Sequence, residues 1–542
     1  MFQQDPQPVG GSLALSALCA ALPLITLFVL LGGLRLKAWM AGLISLAVAL
    51  VVAIVLFSMP VGQALLAGTE GAAFGFFPIL WIVINAIWVY NLTVASGHFD
   101  VLRRSFEKVS ADQRIQALII AFCFGALLEA LAGFGTPVAI TVVMLMALGF
   151  APIKAAATAL IANTAPVAFG ALATPIVTLA SVSSGASDDA RLTVDGLGAM
   201  VGRQTPILAV IVPLILVFVV DGRRGLKQTW PVALVCGLAF GLAQFLAANY
   251  ISVPLADILA ALAAAAAVVL FLRVWQPGEI LTADEVSEKA AVEDAPAEVV
   301  KAYAPYAVII VIFSFVNLPP VKEFLGKEPF TYVFGWPGLD VTNAKGDPVS
   351  STMYSFNWLA AAGTLMIIAG IVTALILKVS AGDAVRAYGR TYVELRSAII
   401  TVMAVLALAY VMNLSGQTTS LGSWLAGTGG AFAILSSILG WIGVAVTGSD
   451  TSANALFGAL QVQTAKDARL DPLLMSAANS SGGVLGKMVS PQNLAIAAAA
   501  VGMAGKEGDI FRKVIGWSLL MLALMCVIVA LQATPVLSWM VP

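Results

Sequence analysis

Charge is scarce in this sequence. Only 11% of its 542 residues are Asp, Glu, Lys or Arg, where a soluble domain carries about 25%. With 60% apolar residues and a mean hydropathy of +0.97, the chain reads as a polytopic membrane protein whose solvent is the lipid bilayer. Its net charge of −1 comes without any basic tract or aromatic-interleaved basic patch, so a nucleic-acid partner is excluded. The four cysteines, Cys19, Cys123, Cys236 and Cys526, fall in apolar runs without paired or metal-type spacing and read as small packing residues. The single histidine, His98, lies in a charged loop and reads as solvated. No metal cluster, large polar domain or nucleophile–base pair is visible, which argues against an enzyme. MFQQDPQPVGGS lacks a charged n-region and an A-x-A site, so the first apolar run is expected to stay as a helix.

Long apolar runs are what the sequence does have. A membrane span needs about 20 apolar residues, and runs near 13–32, 37–58, 72–95, 201–220, 229–249, 257–275, 303–318, 356–378, 397–414 and 515–537 meet or approach that length. The acidic, Ala-rich stretch 276–302 reads as a cytoplasmic linker between an N-terminal half, 1–275, and a C-terminal half, 303–542. Residues 319–355 form a polar loop rich in Pro, Gly and aromatics. Cytoplasmic loops are enriched in Lys and Arg. That rule puts Arg35, Lys37, Arg103, Arg104, Arg223, Arg224, Arg386, Arg390 and Lys506 inside, and both termini and 319–355 outside.

One pattern occurs twice. GALLEALAGFGTPVAI (125–140) followed by ANTAPVAFGALATP (162–175) matches GWIGVAVTGSDTSANA (440–455) followed by ANSSGGVLGKMVSP (478–491). Gly133 and Thr136 fall on Gly448 and Thr451, and Asn163 and Pro175 fall on Asn479 and Pro491. Both copies interrupt an apolar stretch with Gly, Pro, Asn, Ser and Thr, and broken helices persist in a membrane only around a cavity. Matching interruptions in two halves point to a transporter's binding site. The arms 138–150 and 453–463 are too short for comfortable spans. The expectation is therefore a re-entrant hairpin at 115–151 with a broken helix at 155–181, and a second hairpin at 429–463 with a broken helix at 472–500. With seven spans between them, the second copy is inverted. The fold expected is all-α: about 12 transmembrane helices plus two re-entrant hairpins in an inverted repeat.

Thr136-Pro137, Thr174-Pro175 and Ser490-Pro491 each place a hydroxyl before a proline suited to a first helical turn, and Ser449, Asp450, Thr451 and Ser452 offer a cap in the second copy. Four helix N-termini would then converge at mid-membrane and attract a small carboxylate. The candidate binding residues are Gly133, Gly135, Thr136, Asn163, Ser449, Thr451, Asn479, Lys487, Gln492 and Arg203. Gly125 and Gly170 read as close-packing positions. Asn163, Asn479, Gln492 and Asn493 suit either freed backbone or a substrate hydroxyl, and Arg203 suits either an interfacial or a direct role. An ionised residue at a helix centre costs about 2.5–3.5 kcal/mol even on lenient scales, so Glu129 and Asp450 are candidates for proton coupling and Lys487 for binding a carboxylate.

LLEALAGFGTPVAI, TGSDTSANALFGALQ and SPQNLAIAAA resemble signature stretches of the bacterial lactate permease family, the L-lactate and glycolate permeases, and the resemblance spans essentially the whole chain. It implies an elevator-type transporter with a mobile domain, importing L-lactate, D-lactate and glycolate with protons across the inner membrane. The co-transported proton is the sole expected cofactor, and a homodimer the expected assembly. A sodium-coupled carboxylate transporter and an anion channel stay as alternatives.

Overall fold

The computed structural model describes residues 1–133, 135–282 and 293–542; Phe134 and the middle of the 276–302 linker lie outside them. Among the described residues, eleven helices are long and apolar enough to cross a membrane. The expected 72–95 span begins earlier, at Val61, and kinks at Phe77-Pro78, where Phe77 leaves helical geometry (φ −128°, ψ 119°). The stretch Val194–Ile251 holds two passes joined at Asp221-Gly222. Gly222 has φ 61° and ψ −146° there, a region open essentially to glycine alone.

The all-α expectation needs one correction. Tyr332–Gly335 pairs antiparallel with Met353–Phe356, and the N-terminal Phe2–Gln3 pairs parallel with Val341–Thr342. The 319–355 loop is thus a small β-containing cap that holds the N-terminus. It also shortens the expected 356–378 span to Ala362–Ile376. Lys322 pairs with Asp195, and Arg191 reaches both Asp471 (2.9 Å) and the backbone oxygen of Pro542 (3.2 Å). Both termini, the cap and the loops near 190 and 470 therefore share one face. The Arg191 guanidinium holds the Asp189 carboxyl below its usual range, so their pairing stabilises above the ordinary carboxylate range and is lost only at lower pH.

The opposite face gathers most of the Lys and Arg. Arg104 pairs with Asp294 at 2.6 Å, and Lys154 donates to the Val220 oxygen at 2.8 Å. His98 is not simply solvated: its Nε2 lies 3.0 Å from Glu298 Oε2 and its Nδ1 3.1 Å from Ser96 Oγ. Arg114 is fully buried, bonded to Asp112 (2.6 Å), Asp221 (3.1 Å) and the Glu279 oxygen (2.6 Å). Removing one partner of a buried ionic cluster strands the others, at about 3–5 kcal/mol. Arg114→Ala is accordingly expected to destabilise the protein by that amount, measured as a lowered unfolding temperature in detergent.

Two large apolar clusters divide the helices. The smaller takes in most of Phe2–Ile87 and Leu395–Leu414; the larger draws on 82–106, 115–268, 302–313, 365–387 and 432–529. Ala171 and Val182 of the first half and Leu456 and Leu460 of the second belong to the smaller cluster and mark the seam between the two.

Candidate functional site

Both repeated stretches lie largely in the larger body, with Ala171 and Ala455 at its seam with the smaller one. In the first, Gly125–Leu131 is wholly buried and ends at Gly133 (φ +47°) and Gly135 (φ +84°) before Thr136–Ala147 begins. These left-handed glycines reverse the chain where an L-residue would be strained. Thr136 is not the cap expected of it: Gly135 occupies that place, and Thr136 is the first helical residue. Gly125 has the packing role expected of it, since a Cβ there would lie 3.3 Å from Thr141 Cγ2.

Glu129 stands one turn before this tip, almost fully buried. Lys487 Nζ donates to its Oε1 at 2.7 Å, and Asn163 Nδ2 donates to its Oε2 at 2.9 Å. A Cβ at Gly170 would lie 2.8 Å from Glu129 Oε1. Gly170 therefore makes room for a carboxylate, which corrects its reading as mere helix packing. The break that follows is left-handed: Ala171, Leu172 and Ala173 have φ of 43°, 56° and 59°. Such geometry costs L-residues about 1–2 kcal/mol each, strain of the kind that persists at functional sites. Thr174 donates its hydroxyl to the Ala171 oxygen (2.6 Å) instead of capping a helix.

The second copy keeps its caps. Gly448 (φ +74°) closes Phe432–Thr447, and Ser449 Oγ accepts from the Ser452 N–H at 3.2 Å as the N-cap of Asp450–Ala468. Asp450 is then the first helical residue, not the cap. Its Oδ2 accepts from Ser480 Oγ (2.6 Å) and Asn454 Nδ2 (3.3 Å), while its Oδ1 has no partner among the described residues. Asn454 Nδ2 also reaches the Pro175 oxygen (3.1 Å), just beyond the first break. Asn479 donates to Asn454 Oδ1 (2.9 Å), and Gln461 donates to Asn479 Oδ1 (3.0 Å). The chain of amides runs from Gln461 through Asn479 to Asn454, whose N–H groups end on Asp450 and the Pro175 oxygen. At the second break Ser490 caps Pro491–Ala500, and Asn493 ties that helix to the Gly448 oxygen at 3.3 Å.

A cavity of about 1260 Å³ joins the two tips. Glu129, Gly133, Thr136, Ser449, Asp450, Thr451, Lys487 and Gln492 line it, and it extends to the exposed Arg35, Lys37 and Glu394 on the Lys- and Arg-rich face. Four expected residues do not line it. Gly135 packs against Ile496, where a Cβ would overlap the isoleucine. Asn163 and Asn479 act behind the wall, through Glu129 and Asn454. Arg203 is elsewhere: it holds Asn249 (2.9 Å) and the Met540 oxygen (2.9 Å) on the face that carries both termini. Arg203→Ala is expected to leave substrate affinity within about twofold, measured by uptake kinetics, because the lost bonds are remote from the cavity.

Sequence reasoning missed Asn454, Gln461 and Asp257. The i, i+4 spacing from Asp450 to Asn454 puts both on one helix face and is the signal for the first. Asp257, a lone acid in the apolar run VPLADILA, is the default mark of an intramembrane functional group.

Known proteins match this chain along its length. The L-lactate permease family profile covers residues 16–536. Over 570 aligned positions the chain is 42% identical to an L-lactate permease of Bacillus subtilis (strain 168), covering 100% of both chains. Over 556 positions it is 42% identical to the glycolate permease GlcA of Escherichia coli (strain K12), covering 98% of each. Among solved structures it overlaps MtrF of Neisseria gonorrhoeae across 86% of this chain and 82% of that one, at 12% identity and a TM-score of 0.47, too loose to carry an argument. The chain belongs to the L-lactate permease family.

Proposed function

We propose that this protein imports L-lactate, D-lactate and glycolate across the bacterial inner membrane by proton symport. The observation that carries the reading is the buried ion pair between Glu129 and Lys487 inside the cavity. Lys487 has the charge a carboxylate needs, but Glu129 already occupies it. A proton on Glu129 frees the ammonium for the substrate. Empty, the pair is neutral; loaded with one proton and one lactate anion, the site is neutral again. Either ligand alone leaves an uncompensated charge in the membrane, which costs several kcal/mol. That penalty couples the two ligands without any moving latch.

Several features support an elevator-like inverted repeat. The first hairpin begins and ends on the Lys- and Arg-rich face, where Gln113 donates to the Leu148 oxygen (3.1 Å). The second begins and ends on the other, where Lys466 donates to the Ala186 oxygen (3.3 Å). Most of both repeats packs in the larger apolar body, while Ala171 and the arm 455–460 face the smaller one, a seam along which one body can slide against the other. The cavity's outlet beside Arg35 and Lys37 corresponds to a cytoplasm-facing state. A homodimer and a co-transported proton without other cofactor complete this reading.

Sodium coupling is the rival. Around Asp450 the amide and hydroxyl groups present donors to the carboxylate, and the oxygens of Asn454 and Asn479 are taken by neighbouring amides. A sodium cage needs those oxygens turned inward, so the arrangement favours the proton. The substrate reading is tested with purified protein in liposomes. Labelled L-lactate accumulates when the outside is acidified, and unlabelled glycolate and D-lactate compete; accumulation indifferent to both competitors contradicts it.

A further inference from the structure

A second buried carboxyl stands near the pair and takes no part in the exchange just described. Asp257 lies in the first turn of Ala256–Phe271 and is fully buried. Its Oδ1 accepts one hydrogen bond, from Gln244 Nε2 at 2.9 Å; its Oδ2 has no partner among the described residues. The same Gln244 amide reaches the Ala165 oxygen (3.3 Å) in the first break, two residues beyond Asn163. Thr205 Oγ1 donates to Gln244 Oε1 at 3.3 Å and so holds that amide with its N–H toward Asp257. From the elements packed around it, the charged groups Asp257 faces are Glu129 and Lys487. It does not line the cavity.

Three buried carboxyls, Glu129, Asp257 and Asp450, thus share the surroundings of one ammonium, and that ammonium is bonded to Glu129. An ionised Asp257 would carry a single hydrogen bond in a sealed apolar site, an arrangement that costs several kcal/mol. It would also turn the neutral pair into a site of net charge −1, which repels an anionic substrate.

We propose that Asp257 holds a proton as a neutral carboxylic acid, and that this second proton is a condition for anion binding at Lys487. Resting on the proton-symport reading, the proposal adds a resident proton beside the transported one. Loss of the resident proton closes the site to lactate at alkaline pH without altering the transported stoichiometry.

The test is the dependence of lactate KM on pH, measured in liposomes for the native protein, Asp257→Asn and Gln244→Leu. Where a proton must be bound before the anion, KM rises tenfold for each pH unit above that group's ionisation. The limiting slope of log KM against pH is expected to fall by about one in Asp257→Asn, whose amide is always neutral, with pH-driven accumulation retained. Gln244→Leu keeps the carboxyl but removes its hydrogen-bond donor, disfavouring the ionised form; the alkaline rise in KM should move to higher pH. An unchanged slope in Asp257→Asn overturns the proposal, as does an unmoved rise in Gln244→Leu should Asp257→Asn fail to fold. Loss of accumulation in a folded Asp257→Asn also overturns it, since the resident proton would then be the transported one. A native protein that accumulates no lactate under a pH gradient instead defeats the symport reading itself.

Discussion

Glu129→Gln is expected to abolish pH-driven accumulation of lactate while leaving lactate-for-lactate exchange in place. The glutamine is nearly isosteric and still faces Asn163, but it cannot balance Lys487, whose Nζ now bonds the carboxylate at 2.7 Å. The loaded site, ammonium plus lactate, is neutral and crosses. The empty site carries one uncompensated positive charge, at a cost of several kcal/mol in the membrane, and the return step stalls. Net uptake needs that return; exchange does not. Counterflow of labelled lactate and uptake under a pH gradient separate the two, and normal pH-driven accumulation in this variant rules out Glu129 as the carrier.

The second large effect is loss of the cation. Lys487→Ala removes the only Lys or Arg side chain among the described residues that both lines the cavity and bonds Glu129. The stranded carboxyl can take up a proton and stay neutral, so the fold is expected to survive, with an unfolding temperature near that of the native protein. Lactate then meets no fixed positive charge at the buried end of the cavity, since Arg35 and Lys37 lie at its exposed outlet. An interaction of about 3–5 kcal/mol is lost, and affinity falls by at least about a hundredfold. Ordinary lactate affinity in Lys487→Ala would transfer the anion site to the helix ends at the two tips.

Length and hydropathy were enough to place most spans, because lipid leaves the backbone little choice beyond a helix. The twice-repeated Gly-rich pattern falls where Gly133, Gly135 and Gly448 take left-handed geometry, which a chain reversal inside a packed membrane body requires. The caps were legible in only one copy. Ser449 and Ser490 cap as their spacing indicates, whereas the first copy uses a left-handed turn of Ala171, Leu172 and Ala173 that propensities disfavour. The pairing of Glu129 with Lys487 spans 358 positions, and no local pattern encodes it. Arg203 drew attention as a charge beside a span, but its partners, Asn249 and the Met540 oxygen, lie away from the cavity. The β cap escaped notice because its strands are short and its segment is broken by Pro and Gly.

One measurement bears most directly on a neutral one-proton, one-lactate cycle. Purified protein in sodium-free liposomes is given an inward proton gradient while membrane potential is set independently with potassium and valinomycin. The account predicts that labelled L-lactate accumulates in proportion to the pH gradient and responds hardly at all to voltage, because moving one elementary charge per cycle would add about 2.3 kcal/mol per 100 mV. Accumulation that requires sodium, or that follows voltage at constant pH, would contradict it.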